Sequence, residues 1–188
     1  MPIAINGSGT ITGLSTGGLP DGSVDTDTLA DAAVTAAKRG TGAILQVVQG
    51  YTSTEVEVTT TTFTDTGLTA TITPTSTTSK ILVLVNQQVY WVKDTVGQGV
   101  GIKILRGSTE IYSAPVDGSG PFDSYSGYIT NLYTRVNVHV YDDDHGSSSD
   151  LIYKVQGRPY YSSNNGKAEF NTAATTNATS FITLIEVA

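Results

Sequence analysis

Leu68-Thr69-Ala70-Thr71-Ile72-Thr73, followed after a Pro74-Thr75-Ser76 turn by Lys80-Ile81-Leu82-Val83-Leu84-Val85, decides how this chain folds. Successive side chains of a strand point to opposite faces, so Leu68, Ala70 and Ile72 share one face and the threonines take the other. That is a half-buried strand. The second run is apolar without alternation, which predicts a strand covered on both faces near its start. Outward from this pair the pattern repeats. Val136, Val138 and Val140 alternate with Asn137, His139 and Tyr141. Strands are expected at 43–58 (one long strand or a bent pair), 61–73, 80–93, 100–105, 110–113, 128–141, 151–156, 167–171 and 180–187. Turn signals such as Asp117-Gly118-Ser119-Gly120-Pro121 and Asn164-Asn165-Gly166 separate them. Eight or nine strands in about 145 residues predict an all-β head of the jelly-roll type, a two-sheet β-sandwich spanning 43–188.

Composition agrees. Only 14% of residues are charged, and threonine, serine, asparagine and glycine carry the solubility. Threonine is β-branched and suits the solvated face of a sheet. The net charge of −7, with ten scattered Lys and Arg, argues against nucleic acid, which needs clustered cations, and against an anionic membrane surface. No stretch reaches the roughly 18 to 20 apolar residues that a membrane span needs. Cysteine is absent, which removes disulfides, thiolate metal sites and thiol nucleophiles. Met1-Pro2-Ile3-Ala4-Ile5-Asn6-Gly7 lacks the basic and apolar regions of a secretory signal. The expected route is therefore assembly in a host cytoplasm, into a particle later released by lysis.

Residues 1–42 read differently. Apolar side chains are thinly spaced at Ile3, Ile5, Ile11, Leu14, Leu19, Val24, Leu29 and Val34, too few for an independent core, so this extended arm is expected to order on a partner. A ten-residue echo aligns Val24 with Val34. Good helix formers over 28–38 predict at most one short helix, and Arg39-Gly40-Thr41-Gly42 reads as a hinge.

The arm's Ile11-Thr12-Gly13-Leu14-Ser15-Thr16-Gly17-Gly18-Leu19-Pro20-Asp21-Gly22-Ser23-Val24, with Leu29-Ala30-Asp31 and Val34-Thr35-Ala36-Ala37-Lys38, resembles the N-terminal segments of tail-fibre and other virion proteins of marine and cyanobacterial bacteriophages. The body is similar to a C-terminal domain of the same phages at Ile44-Leu45-Gln46-Val47-Val48-Gln49, 66–74, 79–83, Leu105-Arg106-Gly107-Ser108-Thr109, Tyr153-Lys154-Val155-Gln156 and Ile182-Thr183-Leu184-Ile185-Glu186-Val187. The resemblance implies a homotrimeric virion structural protein, a tail fibre or appendage. Its arm would dock on other virion proteins of tail, neck or capsid through the eight apolar residues named above. Its jelly-roll head would point outward for contact with the host surface. An appendage this short also suits a capsid decoration protein whose arm clamps the shell.

Chemistry is sparse. No nucleophile-elbow, zinc-helix or phosphate-loop motif occurs, and Gly97-Gln98-Gly99-Val100-Gly101 leads into a strand rather than a helix. The expectation is a protein that is not an enzyme and uses no cofactor. A polysaccharide-degrading head is the further alternative, because its paired carboxylates are not identifiable from spacing. Asp142, Asp143 and Asp144 form the one cluster of adjacent oxygens suited to Ca²⁺, and equally a solvated hairpin tip. His139 reads as a surface or interface residue. Tyrosine outnumbers phenylalanine ten to four, and a ring with a polar tip suits interfaces and sugar stacking. The loop-borne Phe122, Tyr125, Tyr160 and Tyr161 are the candidates for contact with a receptor or host-surface glycan.

Overall fold

The computed structural model describes residues 4–5, 11–12, 33–34, 38–92, 99–113, 131–172 and 178–188. The chain divides into two units, Met1–Arg39 and Gly40–Ala188. In the first, β1 (Ala4–Ile5) pairs antiparallel with β2 (Ile11–Thr12), Ala4 opposite Thr12 and Ile5 opposite Ile11. The short helix expected over 28–38 falls mostly outside the described residues.

In the second unit the described strands are β3 (Ile44–Thr52), β4 (Val56–Val58), β5 (Thr64–Ile72), β6 (Lys80–Val92), β7 (Val100–Arg106), β8 (Thr109–Ser113), β9 (Asn131–Asp142), β10 (Leu151–Pro159), β11 (Lys167–Phe170) and β12 (Ser180–Val187). They form two antiparallel sheets, as a β-sandwich requires. One has the order β5-β10-β7-β8; the other runs β3-β12-β6-β11-β4, with β9 on the free edge of β6. Residues 43–58 are a bent pair rather than one strand, and its two arms separate: β3 lies on β12 and β4 on β11.

The core lies between the sheets. Leu68, Ala70 and Ile72, Ile102 and Ile104, and Tyr153 and Val155 meet Ile81, Val83, Val85, Val136, Val138, Ile182 and Leu184. Gly157 is inward in the same phase as Tyr153 and Val155. A Cβ there would stand 2.1 Å from Cζ of Phe170, so the missing side chain is the socket for that fully buried ring.

The thirteen-residue β6 organises the second sheet. One edge pairs with β9 along almost its full length; the other takes β12 at residues 80–86 and β11 at 89–92. At the changeover Gln87 and Gln88 lose a ladder partner, and backbone polar groups buried without one are costly. Ser180 Oγ accepts from Gln88 N at 2.9 Å, and Asn171 N, on a residue of positive φ, donates to Gln88 O at 3.2 Å. The Gln87 amide donates to Asn171 Oδ1 and Ser180 Oγ and accepts from Thr66 Oγ1 of the opposite sheet. The two sheets are thus joined through a buried, fully paired polar cluster.

Candidate interaction surface

On β3, β12, β6 and β9 the inward set of side chains is core, and strand alternation leads one to expect a polar outward set. The registers show otherwise. Val47 lies opposite Ile185, Ile185 opposite Leu82, and Leu82 opposite Tyr141, one apolar row across four strands. The next row is Gln49, Thr183, Leu84 and His139; the one after is Tyr51, Phe181, Asn86 and Asn137. Val47 and Tyr141 are each 57% exposed and Tyr51 73%. This corrects the expectation that Ile81–Val85 is covered on both faces. Ile81, Val83 and Val85 are buried, whereas Leu82 and Leu84 are only partly so, because their face has no second layer within the described residues.

The acids of these strands avoid this face. Glu186 follows Ile182 and Leu184 inward and is fully buried. Its carboxylate accepts from Gln46 Nε2 at 2.6 Å, Thr75 N at 2.7 Å and Thr75 Oγ1 at 2.8 Å, fixing the β5–β6 turn to the sandwich. Burial raises its pKa, but hydrogen bonds from Ser79, Gln46 and Thr75 outweigh it and hold the carboxyl below the usual glutamate range. Asp142 continues the inward series Val136, Val138, Val140. Arg106 Nη1 meets its Oδ1 at 2.5 Å and the Tyr153 hydroxyl donates to Oδ2 at 2.7 Å. Burial, then the Asp142 carboxylate, push the Tyr153 phenol far above its ordinary value.

The Asp142–Asp144 candidate is therefore not a convergent oxygen cluster. Asp142 is inside and paired, while Asp143 and Asp144 are exposed, Asp143 offering its carbonyl to Lys80 Nζ. Among the described residues no three His, Asp or Glu side chains are grouped to hold a metal. His145 is buried: Nδ1 accepts from Ser147 N at 3.2 Å, which leaves Nε2 to donate to Ser79 O at 2.7 Å. His139 is exposed on the apolar face.

At the far end of the same sheet the outward row is polar: Glu57, Glu169, Tyr90 and Tyr133. Lys167 bridges the two glutamates at 2.6 and 2.5 Å, and the tyrosine rings stack with centroids 4.1 Å apart. A groove of about 530 Å³ nearby is lined by Thr59, Val92, Ser162, Asn165, Gly166 and Lys167.

Of the receptor candidates, Tyr160 and Tyr161 are neighbours with tilted rings 6.4 Å apart, and Tyr161 is exposed. The Arg158 guanidinium lies over Tyr160 at 6.0 Å and over Phe63 at 4.9 Å, with Lys103 over Phe63 at 4.6 Å. These contacts make the patch a self-contained cation–π stack. Phe122 and Tyr125 lie outside the described residues, as do Ile3, Leu14, Leu19, Val24 and Leu29 of the arm. Ile5 and Ile11 are register partners in the β1–β2 pair, and Val34 is half-exposed.

The apolar face is what sequence reasoning missed. Its signal was present: in β12, Ile182 and Leu184 are apolar in one phase and Phe181, Ile185 and Val187 in the other. No protein-family model matches the chain, and no curated protein matches it either.

Proposed function

We propose that this chain is a bacteriophage virion structural protein: a homotrimeric tail fibre or appendage, attached to the particle through its N-terminal segment and presenting a jelly-roll head to the host surface. The observation that carries this reading is the uncharged, aromatic-flanked face of β3, β12, β6 and β9. An apolar row, Val47, Ile185, Leu82 and Tyr141, exposed beside two uncharged rows that add Leu84, Tyr51 and Phe181, suits protein contact better than solvent. The resemblance of the arm and body to phage virion proteins supplies the kind of assembly. Labelled antibody against the head, imaged on purified particles by electron microscopy, tests it. Label at tail or neck is the expected result; label over the capsid lattice would replace the appendage by a decoration protein, and unlabelled particles would overturn the reading.

A further inference from the structure

We propose that the apolar face of β3, β12, β6 and β9 is occupied by a second copy of this chain, so that the copies of the trimer turn this face towards their common axis. The inference rests on the assembly reading above and names the surface responsible.

Charge is the first argument. Each chain carries −7, so copies repel one another overall, and least where the facing surfaces themselves present no charge. The three rows from Val47 to Asn137 contain no acid, lysine or arginine, and Glu186 and Asp142, the acids of these strands, are turned inward and paired. Lys80 and Arg135 bound the rows and are engaged, Lys80 with Asp143 O and Arg135 with Thr179 O and with Asn86 of the third row. A basic partner would instead be drawn to the acidic surface elsewhere.

Size and shape are the second. Four strands about 4.8 Å apart and the five residues that the three rows occupy on each, rising about 3.3 Å apiece, span roughly 320 Å² in projection. Side chains standing off the sheet add accessible area, so the patch fits the apolar core of an interface to which each partner commits roughly 800 Å². Three such faces turned to one axis each meet both neighbours, and Tyr51, Phe181 and Tyr141, at the rim of the patch, supply rigid aromatic contacts.

The test is the mass of the full chain in solution, by light scattering and sedimentation at micromolar concentration, for wild type, Val47→Glu and Ile152→Glu. Ile152 is also a half-exposed β-branched residue but lies on the outer face of the other sheet, so it controls for added charge. The expected result is an oligomeric wild type, an unchanged Ile152→Glu, and a Val47→Glu variant whose dissociation constant rises about 100-fold or more, since it buries an unpaired charge. Should Val47→Glu lose its circular dichroism signature, Tyr141→Ser, a truncation at an exposed position, is measured instead, with weakened assembly expected. An oligomeric wild type indifferent to both changes overturns this surface but leaves the trimer standing. Equal dissociation by Ile152→Glu also overturns it. A monomeric wild type overturns the proposal and the trimer together. Nitration of the monomer's tyrosines with Tyr51 and Tyr141 protected would then assign the face to the chain's own N-terminal segment.

Discussion

Glu186 shows how much one buried carboxylate does here. Its oxygens receive a backbone amide, a hydroxyl and a side-chain amide, so it is stabilised in the charged form and its pKa lies below the unfolded value. Its contribution to stability is fully present above the ordinary glutamate value of about 4.3 and is lost as the pH falls through the lower folded value. Asp65 is shifted in the same direction: burial opposes ionisation, but hydrogen bonds from Gln156 and Lys154 prevail. Being more than half exposed, it adds little. Glu186→Gln turns an NH₂ group towards donors and is expected to cost about 1–3 kcal/mol at neutral pH. Much of the loss below pH 4 should vanish in the variant, and urea unfolding at pH 7 and pH 3 measures both effects. Asp142→Asn is the sterner case, because it leaves the Arg106 guanidinium, 16% exposed, without a counter-charge. Removal of one partner from a buried pair costs about 3–5 kcal/mol, and a fall in melting temperature with retained far-ultraviolet signal checks it. Glu186 continues the phase of Ile182 and Leu184 within the strand expected at 180–187, whereas the strand expected to end at 141 left Asp142 to a hairpin tip, although it continues the phase of Val136, Val138 and Val140. What the sequence could not show was the partner: Arg106 is thirty-six residues from Asp142 in the chain.

Elements were more readable than their neighbours. Local alternation and turn residues act within a few positions, so the expected strand at 180–187 matches Ser180–Val187, and that at 61–73 narrows to Thr64–Ile72. Pairing is decided by contacts far apart in sequence, and nothing local announces that β11 and β12 lie end to end on one edge of β6. The polar cluster of Gln87, Asn171 and Ser180 follows from that changeover and was equally invisible. The sheet-to-sheet contact at Gly157 gives a direct test of packing between elements. Gly157→Ala drives a methyl into the Phe170 ring and is expected to cost about 1–3 kcal/mol by overpacking. Phe170→Ala should cost about 3–5 kcal/mol by opening a cavity. Because the clash disappears once the ring is gone, the double variant should be more stable than the sum of the single losses implies. Strict additivity in chemical denaturation would show that the two positions do not meet.

For the whole molecule, charge and apolar surface pull in opposite directions, and salt separates them. Two bodies of charge −7 with centres roughly 30 Å apart repel by about 7 kcal/mol in unscreened water. Where that separation equals the Debye length, at about 0.01 M salt, roughly 2 kcal/mol remains, and at about 1 M almost none. Burial of the Val47–Ile185–Leu82–Tyr141 row does not depend on ion pairs and survives the change. Self-association through this face is therefore expected to tighten as sodium chloride rises, by about tenfold or more in dissociation constant between those limits. Sedimentation at a series of salt concentrations reads this directly, and the melting temperature should also become concentration-dependent, since oligomerisation stabilises by mass action. An assembly held by cross-chain salt bridges would behave oppositely. Weakening with salt would move the contact away from the uncharged face, towards charged residues such as the Glu57–Lys167–Glu169 group at the other end of the sheet.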